Sequence, residues 1–204
     1  MKKYFAALTT TVLISIAPFA LAGPSTELTV SGVITPAACT PTLSSGGAID
    51  LGSISYNQLD QERNTRVGSH EITLTLDCDG STGFAINAID NRNGTGLGDG
   101  FGLGLTSEGK PVGFFTPFIQ QITADSVLVD PIESNDNGTT WANTDFVKAG
   151  YWLSAATTGS TTPIDAQTVT VDFKVDTYIV RADELKLDGD LEIDGSATFE
   201  VMYL

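Results

Sequence analysis

The chain has 204 residues, with 25 acidic and 10 basic side chains and a formal net charge of −15. Hydrophobic residues make up 41% of the sequence, which is enough to build a substantial core in one domain. The large acidic excess excludes nucleic-acid binding by neutralisation of phosphates, because that mode requires clustered Lys and Arg.

The first 22 residues have the pattern of a secretory signal. Two lysines precede a mostly apolar stretch that ends in Ala20-Leu21-Ala22, whose alanines are the small residues that a signal peptidase accepts. Pro18 interrupts this stretch, which is shorter than the ~20 residues of a membrane span, so a cleaved signal is favoured over an anchor. We therefore expect an exported protein with a single mature domain over residues 23–204, and no membrane span after the signal is removed.

Beyond the signal, hydrophobic side chains alternate with polar ones at a period of two. Residues 70–78 and 168–179 show this alternation most clearly, which predicts two strands that are each buried on one face. Shorter strand candidates, separated by turn-rich segments, are residues 27–35, 48–54, 84–89, 101–105, 112–122, 126–129 and 146–155. Residues 58–66 form the best short helical candidate. The pattern predicts an all-β fold, an antiparallel β-sandwich.

The two cysteines, Cys39 and Cys78, lie far apart in the sequence. Their separation is unlike the tight spacing of a redox dithiol or a zinc motif. Export to an oxidising compartment favours one structural disulfide over two free thiols.

Motifs that would indicate an enzyme are nearly absent. His70 is the only histidine, and it lies on the apolar-facing side of a predicted strand, so a structural role is favoured over catalysis. The sequence contains no phosphate-binding glycine loop, no paired-histidine zinc motif and no nucleophile elbow. The carboxylates between 183 and 194 are interpreted as a solvated acidic face. We expect no catalytic residue, metal ligand or cofactor.

Two turn-rich segments have a superficial likeness to calcium loops. Residues 91–104 contain alternating glycines but only one copy of a repeat that must stack, so a flexible hairpin loop is favoured. Residues 135–138 lack the spacing of an EF-hand loop and are interpreted as a type I′ or related turn. Trp141, Tyr151 and Trp152 leave glycan stacking open, although core packing is favoured.

The last nine residues, 196–204, alternate in the manner of a half-buried strand that ends the chain. Phe199, Val201 and Tyr203 share one side of this strand, and Gly195 precedes it. A strand at the end of the chain can leave one edge unpaired, and another strand can then form backbone hydrogen bonds with that edge.

This tail resembles the C-terminal signature of bacterial chaperone-usher pilins, a glycine followed by alternating hydrophobic residues and a penultimate tyrosine. Further segments stand in the family order: residues 28–39 (LTVSGVITPAAC), 49–52 (IDLG), 72–78 (ITLTLDC) and 194–204 (DGSATFEVMYL). The chain is most similar to the fimbrial-like secreted proteins of unknown function from enterobacteria and pseudomonads. No resemblance extends over about 90–165.

The resemblance implies an immunoglobulin-like sandwich of pilin type that lacks its final strand. A strand from a neighbouring subunit or from a periplasmic chaperone fills the resulting groove in such proteins. Carried over to this chain, Gly195 marks the start of the last strand, and Phe199, Val201 and Tyr203 line or flank the groove. The implied partners are a periplasmic chaperone, an usher and other fimbrial subunits, and the implied location is the periplasm and then the fimbrium, the cell surface or the medium.

One departure from the family pattern leaves alternatives open. Only residues 23–26 separate the predicted cleavage site from the predicted first strand, whereas a polymerising pilin carries a longer extension to donate. The protein could receive a strand without donating one. Alternatively, it could complete its own sandwich and bind a glycan or protein ligand as a secreted or periplasmic protein. A secreted hydrolase is the least favoured hypothesis.

Overall fold

The computed structural model describes residues 28–29, 37–185 and 189–204. The predicted signal and most of the strand predicted at 27–35 lie outside the described residues, so both stay predictions. All regular elements described below belong to one unit that comprises residues 35–204.

The described chain contains ten strands and little helix. The strands are β1 (Cys39–Leu43), β2 (Thr65–Asp90), β3 (Phe101–Gly102), β4 (Gly113–Ala124), β5 (Val127–Leu128), β6 (Asp130–Ser134), β7 (Ala142–Asn143), β8 (Trp152–Ala156), β9 (Asp165–Ile179) and β10 (Ala197–Tyr203). The helical elements are two 3-10 turns, Ser44–Gly47 and Tyr56–Gln58, and one α-helical turn, α1 (Ala182–Leu185).

The 26-residue strand β2 belongs to both layers of an antiparallel sandwich. Its first part pairs with β1 and β9, and β9 continues the first sheet through β4 to β3 and β5. Its last part pairs with β10 and β8, and β8 continues the second sheet through β6 to β7. The strand changes register between Asp77 and Thr82, close to the point where it passes from one sheet to the other. The predicted antiparallel β-sandwich is confirmed.

The core lies between the two sheets, where Phe84, Phe101 and Phe173 are its largest fully buried side chains. The predicted alternation is confirmed at residues 72–78 of β2 and 169–175 of β9, where every second residue is buried, and it is interrupted at Asp176, which is buried as well. Cys39 lies directly opposite Cys78 in the β1–β2 pair, and the predicted disulfide between them is confirmed.

Several predicted elements were wrong because local turn chemistry overrode the apolar pattern. Residues 48–54 form no strand, since Gly52 has a φ of 61° and its N–H bonds to the Asp50 carboxylate. Residues 58–66 form no α-helix, because the Asp60 carboxylate accepts the N–H groups two and three residues further on. The strand predicted at 146–155 begins only at Trp152, two residues after Gly150 with its φ of 79°.

Candidate functional site

Strand β10 has one face on the core, as its alternation predicts. Ala197, Phe199 and Val201 pack against the core cluster, and the Phe199 ring stacks on the ring of Phe173 with 6.0 Å between centroids. The stack ties the end of the chain to β9 in the other sheet.

The register of β10 leaves one of its edges free. Ser196 and Leu204 bond to β2 or its flank through their backbone groups, at the two ends of the ladder. Because backbone direction alternates along an antiparallel strand, the even-numbered residues bond to β2 and the odd-numbered ones face away from it. In the described part of the chain, no other strand pairs with this second edge. This edge therefore has backbone N–H and C=O groups that point away from β2 and have no strand partner in the described chain, those of residues 197, 199, 201 and 203.

A large cavity opens beside this strand, and we call it the groove. Its volume is about 1280 Å³, above the ~300–1,000 Å³ typical of small-molecule pockets. One wall is formed by alternate residues of β9, which are Phe173, Val175, Thr177 and Ile179. At ~3.3 Å per residue this wall is about 20 Å long, a length that suits an extended segment of six or seven residues.

Two non-strand segments also line the groove, residues 49–55 and 189–193, and we call them its rims. Neither segment has regular pairing: the backbone groups of 49–54 and 189–193 make no backbone hydrogen bond to any described residue. Apolar side chains on each rim, Leu51 and Ile54 on one and Leu191 and Ile193 on the other, line the groove. Both rims therefore combine apolar side chains with backbone groups that a further strand could satisfy.

A smaller cavity of about 460 Å³ lies between β1 and β10 and shares Leu43, Ala197 and Phe199 with the groove. The edge of β1 that faces this cavity is a poor partner for a strand. Ala38 bonds to β2 through its carbonyl, so the odd-numbered residues of β1 face away from β2, and one of them is Pro41, which has no N–H.

Gly195 occupies a position that needs a residue without a side chain. A Cβ there would lie 2.6 Å from Cδ2 of Leu103 and 3.2 Å from Cε1 of Phe115, both of which line the groove. The glycine thus lets the chain pass closely over these side chains before β10 begins.

The four predicted strand-complementation residues divide into two pairs. Gly195 and Phe199 line the groove. Val201 and Tyr203 lie further along β10 toward the disulfide, and they are absent from the described lining. Tyr203 is exposed, and its hydroxyl oxygen accepts a hydrogen bond from the N–H of Cys39 at 2.9 Å.

The rim at 189–193 was missed by sequence reasoning. Its signal was present, because Leu191 and Ile193 alternate with acidic residues in the same way as residues of a half-buried strand. The density of carboxylates led to the interpretation of a solvated face instead.

The other candidate segments have structural partners. Arg92 in the glycine-rich loop forms an ion pair with Asp194, with Nε and Oδ2 2.9 Å apart, and Asn91 bonds to Ser196 and Thr198. His70 is half-buried, and its Nδ1 is buried without a hydrogen-bond partner among the described residues, whereas the sequence favoured a fully hydrogen-bonded histidine. Among the described residues, no group of three or more His, Cys, Asp or Glu side chains is arranged to hold a metal ion.

Comparisons with known proteins give relatives over nearly the whole chain. The chain is 27% identical to the uncharacterized protein YhcF of Escherichia coli K12, covering 91% of this chain and 93% of that protein. It is also 27% identical to the protein GltF of the same strain, with 94% of each covered. A family model described as a protein of unknown function (DUF1120) matches residues 28–100. In the part of the chain that the structure describes, no helix has the length and apolar character needed to cross a bilayer.

Proposed function

We propose that this protein is a non-enzymatic, fimbrial-like subunit that takes part in surface assembly or adhesion by accepting a β-strand from another protein. The donor strand would pair with the free edge of β10 and insert side chains into the groove. On this proposal the protein is exported to the periplasm, where a chaperone covers the groove until an usher or another subunit replaces it.

The observation that carries the proposal is the position of the free edge of β10 directly beside the groove. Residues 197, 199, 201 and 203 direct their backbone groups outward, and Phe199 borders the apolar wall formed by β9. An open strand edge next to exposed apolar surface favours aggregation unless another strand covers it. A donated strand would satisfy the backbone groups and the apolar side chains together.

The structure supports β10, rather than β1, as the edge that receives the strand. Of the outward-facing positions of β1, Cys39 already donates its N–H to Tyr203, and Pro41 has none to donate. On β10, every outward-facing residue is able to donate.

A pair of proline variants tests this assignment. Val201→Pro removes an N–H that faces the free edge, whereas Glu200→Pro removes one that bonds to β2. The full chain and both variants are exported to a bacterial periplasm with and without a fimbrial chaperone, and complexes are separated by size-exclusion chromatography. Circular dichroism with thermal unfolding reports on the fold.

We expect the unsubstituted protein to elute with the chaperone. Val201→Pro should remain folded but lose the complex, whereas Glu200→Pro should lose thermal stability because a bond within the sheet is broken. A stable, monodisperse monomer that does not bind the chaperone would refute the proposal. It would favour the alternative, a sandwich that is complete by itself and binds a glycan or protein ligand.

A further inference from the structure

The groove has an acidic mouth. Asp50 lies on one rim, and Asp190 and Glu192 lie on the other, and all three side chains are exposed. Among the described residues that line the groove there is no Lys, Arg or His. Within the part of the chain that the structure describes, the groove is therefore lined by three carboxylates and no cationic side chain.

These three carboxylates differ from neighbouring acidic residues in having no ion pair with any described residue. Asp194, which follows the same rim, pairs with Arg92, and both Asp183 and Glu184 in α1 pair with Arg181. Arg92 and Arg181 are thus already occupied by these ion pairs. Asp50 accepts only the N–H of Gly52, and no hydrogen bond or ion pair joins Asp190 or Glu192 to the described chain.

We infer that the groove accepts a strand from a different protein, with alternating apolar side chains and Lys or Arg at its ends. This inference rests on the proposed function and specifies the donor. Opposite charges across paired segments stabilise the pair, and complementary charge also speeds association, while like charges would repel an acidic donor.

The same charge argument disfavours a second copy of this chain as a donor through the N-terminal region that follows the predicted signal, which has no basic side chain to offer. Between Lys3 and Arg63 the sequence contains no Lys or Arg, and it contains acidic residues such as Glu27. The chain as a whole carries a net charge of −15, so two copies also repel each other at a distance. A basic-ended strand must therefore come from another protein.

Three synthetic peptides test the inference against the full chain. The first has a core of alternating Val and Thr with Lys at both ends. The second has the same core with Glu at both ends, and the third keeps the Lys ends but has a core of Ser. Fluorescence anisotropy of labelled peptides gives the dissociation constants at low and at high salt, and circular dichroism shows that the protein is folded.

We expect the Lys-ended Val/Thr peptide to bind about tenfold more tightly than the Glu-ended one at low salt, since a few exposed ion pairs contribute ~1.4 kcal/mol together. At high salt, the difference between the dissociation constants of these two peptides should be smaller, because salt screens the charges. The triple variant Asp50→Asn, Asp190→Asn, Glu192→Gln should lose the preference. A control with the same change in net charge on other exposed acids, Glu71→Gln, Asp77→Asn, Asp145→Asn, should keep it.

The remaining outcomes separate this inference from the proposed function. Equal binding of the Lys-ended and Glu-ended Val/Thr peptides would overturn the charge preference while leaving strand capture intact. Equal binding of the Ser-core peptide and the Lys-ended Val/Thr peptide would overturn the inference as well. The peptides would then bind through the charge of their Lys residues alone, with no contribution from apolar side chains in the groove. If none of the peptides binds the folded protein, strand capture itself fails, and the inference fails with it.

Discussion

The hydroxyl oxygen of Tyr203 accepts a hydrogen bond from the backbone N–H of Cys39, with the two atoms 2.9 Å apart. Cys39 is also joined to Cys78 by the disulfide, so this bond connects the last strand of the chain to the disulfide-bonded strand of the opposite sheet. In the described chain it is the only hydrogen bond between β1 and β10. The penultimate tyrosine therefore closes one end of the gap between these strands, and the other end stays open to the groove.

Replacing Tyr203 with Phe should lower the free energy of unfolding by ~1 kcal/mol or slightly less, because one partly exposed hydrogen bond is lost and the ring is kept. Urea denaturation checks this as a lower midpoint at an unchanged m value. Tyr178→Phe is the matched control, since the Tyr178 ring stacks on Phe114 and its hydroxyl makes no hydrogen bond to any described residue. Equal midpoints for the two variants would contradict a stabilising role for the Cys39 bond.

Much of the fold follows from the sequence, because apolar and polar residues alternate along a strand that is buried on only one face. The strands containing Ile72, Phe173 and Phe199 could all be predicted in this way, and an exported pair of cysteines made the disulfide predictable. Local patterns also predicted where β10 begins, through Gly195.

The resemblance implied a groove beside the last strand, but its rims could not be predicted, because they depend on which distant segments the fold brings together. The rims are far apart in the sequence, and they line the same groove only in the folded structure, where β10 pairs with β2 through one edge and leaves the other free. Nor could the sequence show that β2 is one strand. The two strands predicted at 70–78 and 84–89 are parts of it, because pairing with β9 resumes at Thr82 after a shift in register and the strand continues into the second sheet.

The loop between β6 and β7 should make stability sensitive to acid. Hydrogen bonds from the Thr140 hydroxyl and N–H, followed by one from the Ser134 hydroxyl, lower the pKa of Asp136 from 3.8 to about 2. Because the folded pKa is the lower one, the stabilisation is present above pH 3.8 and is lost as the pH falls through about 2. Urea midpoints measured across this interval should fall less steeply for Asp136→Asn. A carboxyl titration by NMR that places the pKa of Asp136 at its ordinary value would contradict this assignment.

Reduction of the disulfide should destabilise the protein substantially. Cys39 and Cys78 are 39 residues apart. On the chain-entropy model, closing a loop of this size lowers the entropy of the unfolded chain and so raises its free energy by ~4 kcal/mol. Urea denaturation with and without dithiothreitol measures the difference. The double variant Cys39→Ala, Cys78→Ala should show the reduced stability under both conditions. A reductant effect that persists in this variant would show that the loss has another origin.

Gly195→Ala should lower the free energy of unfolding by ~1–3 kcal/mol, since the new methyl group would lie 2.6 Å from Cδ2 of Leu103 and force the chain away from the groove wall. Gly189→Ala, at a second glycine that lines the groove, is the matched control. Its Cβ would meet no atom of the described residues within 4 Å, so stability should stay within ~0.5 kcal/mol. Chemical denaturation compares the two variants, and chaperone binding should weaken only in Gly195→Ala because only there is the start of β10 displaced. Equal stability of both variants would mean that the close approach at Gly195 does not constrain the strand.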